Sequence, residues 1–225
     1  VAIEMEPVKN LTFQTGFSYR TLESASPTFS LDYYTDVANG IVKSDVKQSE
    51  ASLQVDYTKK KKTIGFAVER QTVDSPYSRF FVNYSHGFKG LLDSDFQYDK
   101  LQLYYKQPII IGPLGRSNVI IEVGKTFGTV PLGLMSVIPG NQTFFSIENT
   151  FSNLNYYEFV SDEYATLQWN HNFGGRLFSR IPFMRKLNWR EIVAVKGVYG
   201  SISDDNRAIN ASGLIYNAPE KGYWE

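Results

Sequence analysis

Apolar and polar residues alternate along this chain in runs of about ten to thirteen residues, longer than most soluble strands. In 10–22, Leu11, Phe13, Phe17 and Tyr19 share one parity, and Thr12, Gln14, Ser18 and Arg20 the other. In 46–58, Ala51, Leu53, Val55 and Tyr57 oppose Glu50, Ser52, Gln54 and Asp56. From 165 to 173, Ala165, Leu167, Trp169, His171 and Phe173 oppose Thr166, Gln168, Asn170 and Asn172. Successive strand side chains point to opposite faces, so each run reads as a β-strand with one apolar and one wet side. Soluble strands average about 5–6 residues, whereas a tilted strand crossing a bilayer needs ~9–11.

The pattern recurs. Phe80, Val82, Tyr84 and Phe88 line one face of 79–89. Leu101, Leu103 and Tyr105 oppose Lys100, Gln102 and Lys106, and Val119, Ile121 and Val123 oppose Glu122 and Gly124. Val193, Val195 and Tyr199 form another such face, although Ile192, Ala194 and Val198 opposite them are also apolar. After the run Lys59–Lys62, Ile64, Phe66 and Val68 resume an apolar face opposite Glu69, which predicts a hairpin with a cationic tip. Adding 28–35, 143–150 and 211–217 brings the expectation to about eleven strands. Turn signals separate them, among them Asn39-Gly40, Asp74-Ser75-Pro76 and Pro139-Gly140-Asn141. No linker interrupts the pattern, so 1–225 reads as one unit.

Composition narrows the classes. The chain has 23 basic and 23 acidic residues, and this lack of a basic excess argues against a nucleic-acid partner. It has no cysteine, which removes thiol catalysis, disulfides and cysteine–metal sites. Aromatic residues make up 15%, including 16 Phe and 15 Tyr, a composition suited to pleated surfaces. No segment is apolar for the ~18 residues of a membrane helix, and the residues from Val1 show no charged-then-apolar leader, so any signal peptide is expected to have been removed or to lie upstream. The slightly negative mean hydropathy fits a soluble protein and a membrane β-barrel alike, because only alternate residues of a barrel face lipid.

The polar parity is the candidate functional surface. Glu50, Gln54, Asp56, Glu69, Lys100, Gln102, Lys106, Glu122, Gln168 and Asn170 would face one hydrated lumen if the sheet closes, or bulk solvent if it does not. Their mixed signs do not make a single-sign ion filter. Tyrosines gather near strand ends (Tyr33, Tyr34, Tyr57, Tyr77, Tyr84, Tyr98, Tyr164), as an aromatic girdle would require. Tyr156, Tyr157, Trp169 and Trp189 are the candidate membrane-interface residues. The segment 176–192 mixes Arg176, Arg180, Arg185, Lys186 and Arg190 with Phe178, Phe183 and Trp189, a pattern that suits lipid headgroups as well as an ordinary amphipathic connection.

Catalysis and metal binding find little support. Asn170 and Asn172 point away from His171, Ser85 points away from His86, and no G-x-S-x-G elbow marks a nucleophile. Two distant histidines without Cys or H-E-x-x-H do not suggest zinc, and 201–210 lacks the glycine and terminal Glu of a calcium loop. Asp204-Asp205-Asn206 reads as a solvated turn. No cofactor and no enzymatic activity are expected.

Residues 153–206, "NLNYYEFVSDEYATLQWNHNFGGRLFSRIPFMRKLNWREIVAVKGVYGSISDDN", and "GKTFGTVPLGLMSVIPGNQTFF" (124–145) resemble the C-terminal barrel region of a Bacteroidota outer-membrane family of unknown function. Members of that family carry a carboxypeptidase-regulatory-like domain at the N-terminus. The barrel is similar to the BamA-type surface-antigen superfamily, whose members insert or translocate proteins. The resemblance is strongest over 124–206. It implies an antiparallel transmembrane β-barrel in a Gram-negative outer membrane. It further implies a role in protein or lipid export, assembly or surface display, with lipid and other outer-membrane or exported proteins as partners. The V-R-G-F/Y motif and POTRA modules of that superfamily are missing, and "PEKGYWE" does not supply closing strands. The expectation is therefore a partial barrel of about 10–12 strands from a larger one. A passive porin-like or structural barrel, a barrel hydrolase using His171 or His86, and a soluble β-sandwich binding module are the alternatives.

Overall fold

The computed structural model describes the chain apart from 24–33, 37–39, 66–69, 74, 144, 146, 148, 156–157, 211–222 and 225. In chain order the strands are β1 (Ala2–Val8), β2 (Leu11–Glu23), β3 (Tyr34–Asp36), β4 (Ile41–Lys43), β5 (Asp45–Lys59), β6 (Thr63–Ile64), β7 (Gln71–Thr72) and β8 (Ser78–Phe88). They continue with β9 (Tyr98–Ile110), β10 (Arg116–Phe127), β11 (Ser136–Val137), β12 (Val160–Ser161), β13 (Glu163–Asn172), β14 (Ile192–Ser201) and β15 (Tyr223–Trp224). Two short helices, α1 (Pro182–Arg185) and α2 (Asp204–Ile209), complete the described elements.

Nine strands form one sheet in the order β1-β2-β5-β8-β9-β10-β13-β14-β15, each antiparallel to its neighbours. The protein is thus all-β with a large antiparallel meander. The six remaining strands pair off as three small ribbons, β3-β4, β6-β7 and β11-β12. The expected count of about eleven changes accordingly. β5 pairs with β8, and in the connection between them Ile64 pairs with Gln71 in the β6-β7 ribbon, while Phe66, Val68 and Glu69 lie outside the described residues. The described residues of 143–150 are not in a strand, and 211–217 is also outside the described part.

Register carries the alternation across the sheet from β2 to β14, with a shift only between Met5 and Val8 at the β1–β2 edge. Met5, Phe13, Val55, Val82, Leu103, Val123, Ala165 and Tyr199 form one row of opposed residues. The row toward the next strand ends runs Leu11, Tyr57, Phe80, Tyr105, Ile121 and Leu167. No segment among the described residues covers this face as a core. Leu11, Phe13, Val55, Val82, Leu103 and Ala165 are half-buried along it, while Met5, Tyr57, Phe80, Tyr105, Ile121, Val123, Leu167 and Tyr199 are exposed.

The buried core lies on the other face. One cluster joins Val46 and Tyr98 of the sheet to Tyr34, Val130, Leu132, Met135, Val160 and Ile202. A second joins Tyr164 and Val198 to Ile138, Phe151, Leu154 and Phe159. The connection 128–162 therefore folds back over the polar face of β13 and β14. This explains Val198, an apolar residue on the polar parity: it is roofed by the infolded segment. The strand ends define a lower rim (connections 9–10, 60–77, 111–115, 173–191) and an upper rim (24–44, 89–97, 128–162, 202–222).

Candidate functional site

Glu50, Gln54, Asp56, Lys100, Gln102, Lys106, Glu122, Gln168 and Asn170 all occupy the polar face, as the strand registers dictate. They are knitted together. Arg79 Nη2 meets Asp56 Oδ2 at 2.6 Å, Arg20 meets Glu50 at 3.3 Å, and Gln102 donates to Glu122 at 2.8 Å. Gln48, fully buried, donates through Nε2 to the Ser49, Phe88 and Phe96 carbonyls.

Two tyrosines complete this network, and neither belongs to a girdle. Glu50, Gly87 and Tyr98 are consecutive members of one cross-strand row, and the Tyr98 ring crosses Gly87 to donate its hydroxyl to Glu50. Tyr164 covers Gly124 in the same way and donates to Glu122 at 2.6 Å. A β-carbon at either glycine would overlap the ring. Such glycine–tyrosine pairs pin register and close the sheet's bare patches. Tyr34 is also buried, edge-on to Phe96 at 4.9 Å in the upper-rim core. Burial, reinforced by Asp95, Asp45 and Asp36, pushes its hydroxyl up to about 12. The girdle expectation thus needs correction at Tyr34, Tyr98 and Tyr164. Tyr57, Tyr84 and Tyr105 do lie exposed on the apolar face, while Tyr156 and Tyr157 are outside the described residues.

The infolded segment is latched at two places. Lys196 donates to the Thr150 carbonyl at 2.8 Å, tying the segment to β14. At the upper rim, Asp162 Oδ2 accepts from Ser203 N (2.9 Å), Ser203 Oγ (2.5 Å) and Asn206 Nδ2 (2.8 Å). Asn206 accepts from Val130 N at 2.7 Å, and Asn210 from Leu132 N at 2.6 Å. The expected solvated turn at 204–206 is instead α2, with Asn206 1% exposed. The two Asn side chains stand in for the missing strand partners of 130–132. Next to the segment, Asn118, Gln168, Asn170, Asn172, Arg116 and Lys196 line a cleft of about 420 Å³ roofed by Ile147.

Both histidines are held by side-chain and backbone partners. His171 Nε2 donates to the Leu114 carbonyl at 3.0 Å, which in the neutral ring leaves Nδ1 to accept from Ser117 Oγ at 2.7 Å. Ser117 is 2% exposed and His171 5%, so this pair is buried. Sequence reading missed Ser117, which is 54 positions away and becomes a neighbour only through the β10–β13 register. His86 Nδ1 sits 2.7 Å from Asp99 Oδ1, which also accepts from Tyr84 at 2.5 Å, a polar cluster on the upper border of the apolar face. Trp169 lies on the apolar face between Val119 and Val195, and Trp189 on the lower rim, 54% exposed.

The family model described as "Family of unknown function (DUF5686) C-terminal domain" matches residues 2–205. No curated protein and no solved structure matches the chain.

Proposed function

Because the chain belongs to the DUF5686 family through its C-terminal domain, a membership that carries no activity with it, we propose a function from the two faces of its sheet. The sheet is part of the wall of an outer-membrane β-barrel of a Gram-negative bacterium, with Leu103, Val123 and their row toward lipid and Glu50, Asp56, Gln102 and Glu122 toward the lumen. One observation carries this reading: the folded-back segment and its core lie on the polar face, while the apolar face is bare. A water-soluble sandwich would bury the apolar face and wet the other. Rows from Leu101 to Ile109 span nine residues, ~30 Å along the strand and ~20–25 Å once tilted by 35–45°, the height of an outer-membrane apolar band.

Sheet edges in lipid must be paired, so β1 and β15 meet each other or further strands of the parent protein. The resemblance to BamA-type barrels of Bacteroidota supports a role in export, assembly or surface display of proteins or lipids. The infolded segment over β13 and β14 occupies lumen space, which favours a plugged or structural barrel over a wide passive pore. The test is fractionation of the native protein with boiled and unboiled gel mobility compared. Recovery in the outer membrane with a heat-dependent shift is expected. A detergent-free soluble protein without the shift overturns the reading.

A further inference from the structure

We propose that the lower rim is a docking surface for anionic lipid headgroups, with segment 173–191 lying in the interface; this rests on the membrane reading above. The chain is neutral overall, yet its charges are sorted along the strands. The lower rim collects Lys9, the Lys59–Lys62 run, Arg70, Arg116 and the five cations of 176–190, against Glu6 and Glu191 among its described residues. The upper rim instead holds Asp45, Asp95, Asp162, Glu163, Asp204 and Asp205, with fewer cations between them.

The second observation is what accompanies the lower cations. In 173–191, Phe183 is 74% exposed and Trp189 54%, with Leu177, Ile181 and Leu187 also exposed. Arg180, Arg185, Lys186 and Arg190 are exposed among them. Pro182 opens α1 at a position where its missing N–H is not needed, and the segment stays irregular on either side. A soluble anion would answer the charges and leave these apolar side chains in water. A headgroup layer above acyl chains answers both, with the arginine and lysine stems lying along the boundary. The segment also leaves β13 and enters β14 beside Val193 on the apolar face, so it sits where that face ends.

The experiment uses the full chain reconstituted in vesicles of neutral phosphatidylcholine or of phosphatidylcholine with rising phosphatidylglycerol. Trp189 serves as reporter after Trp169→Phe and Trp224→Phe. The expected result is that shielding of Trp189 from an aqueous quencher rises with anionic lipid and falls with salt. Each basic side chain near such a surface strengthens attraction roughly fivefold. The Arg180→Glu/Arg185→Glu/Lys186→Glu variant should therefore need at least several-fold more anionic lipid for half-maximal shielding. Lys60→Gln/Lys62→Gln, on a different connection, should shift it in the same direction. Flotation with both vesicle types but shielding indifferent to lipid charge overturns this proposal and leaves the membrane reading intact. Flotation with neither overturns both.

Discussion

Tyr98 lies across Gly87 of the neighbouring strand, and that absent side chain lets its hydroxyl reach Glu50 one strand further on. Gly87→Ala should force the ring out of place and cost about 1–3 kcal/mol, the usual penalty of overpacking. Gly124→Ala should do the same beneath Tyr164. Tyr98→Phe keeps the ring and loses only the hydroxyl, so it should cost less than Gly87→Ala. Urea unfolding midpoints of the refolded protein check the order.

The bare apolar face makes a sharper prediction. Leu103→Arg or Val123→Arg, near the middle of the band, should destabilise the folded protein in a bilayer by ~2–4 kcal/mol. Gln54→Arg, on the opposite face, should cost little. Equal effects of the two kinds, measured by heat-dependent gel mobility, would mean that neither face meets lipid.

Asp162, just before β13, holds the start of α2 with three accepted hydrogen bonds, two from Ser203 and one from Asn206. Hydrogen bonds to a charged group are worth about 1.5–3 kcal/mol each, so Asp162→Ala should loosen the upper rim on that scale. Asn206→Ala should loosen 128–130, leaving Asn210 as the remaining side-chain tie to Val130 and Leu132. Both variants should be cut faster by protease within 128–162 while the strands stay protected.

Tyr34 should give an alkaline signature. Its hydroxyl titrates at about 12 in the folded protein, against about 10 in an unfolded chain, so folding favours the neutral form. That contribution is complete below pH 10 and is lost as pH rises toward 12. Tyr34→Phe should remove the highest-pH tyrosinate step outside the sheet and make the upper-rim core more resistant to base. Ultraviolet difference titration reads the first effect and protease resistance at high pH the second.

Strand identity was legible from the residues alone because side-chain period is a local property. The runs at 10–22, 46–58, 79–89 and 165–173 became β2, β5, β8 and β13 with ends displaced by only a few residues. Parity likewise placed Glu50, Asp56, Gln102 and Glu122 on one face before any fold was known. The run after Lys62 misled at Ile64, which alternates as a strand residue does, while its pairing with Gln71 is decided by what lies beside it. The turn at 204–206 misled because Asn206 is polar, and only its buried contacts with Val130 and Asp162 make a helix there.

The sequence by itself determined an antiparallel β-protein with an apolar and a polar face, since alternation is written residue by residue. Which face carries the buried core was settled by tertiary packing alone. The folding back of 128–162 onto Tyr164 and Val198 depends on contacts between residues far apart in the chain, and no local pattern encodes them. The same holds for Ser117 beside His171 and for the gathering of Lys60, Arg116 and Arg185 at one rim. Antiparallel pairing brings alternate connections to the same end, and that summation turns a neutral chain into one with a basic and an acidic rim.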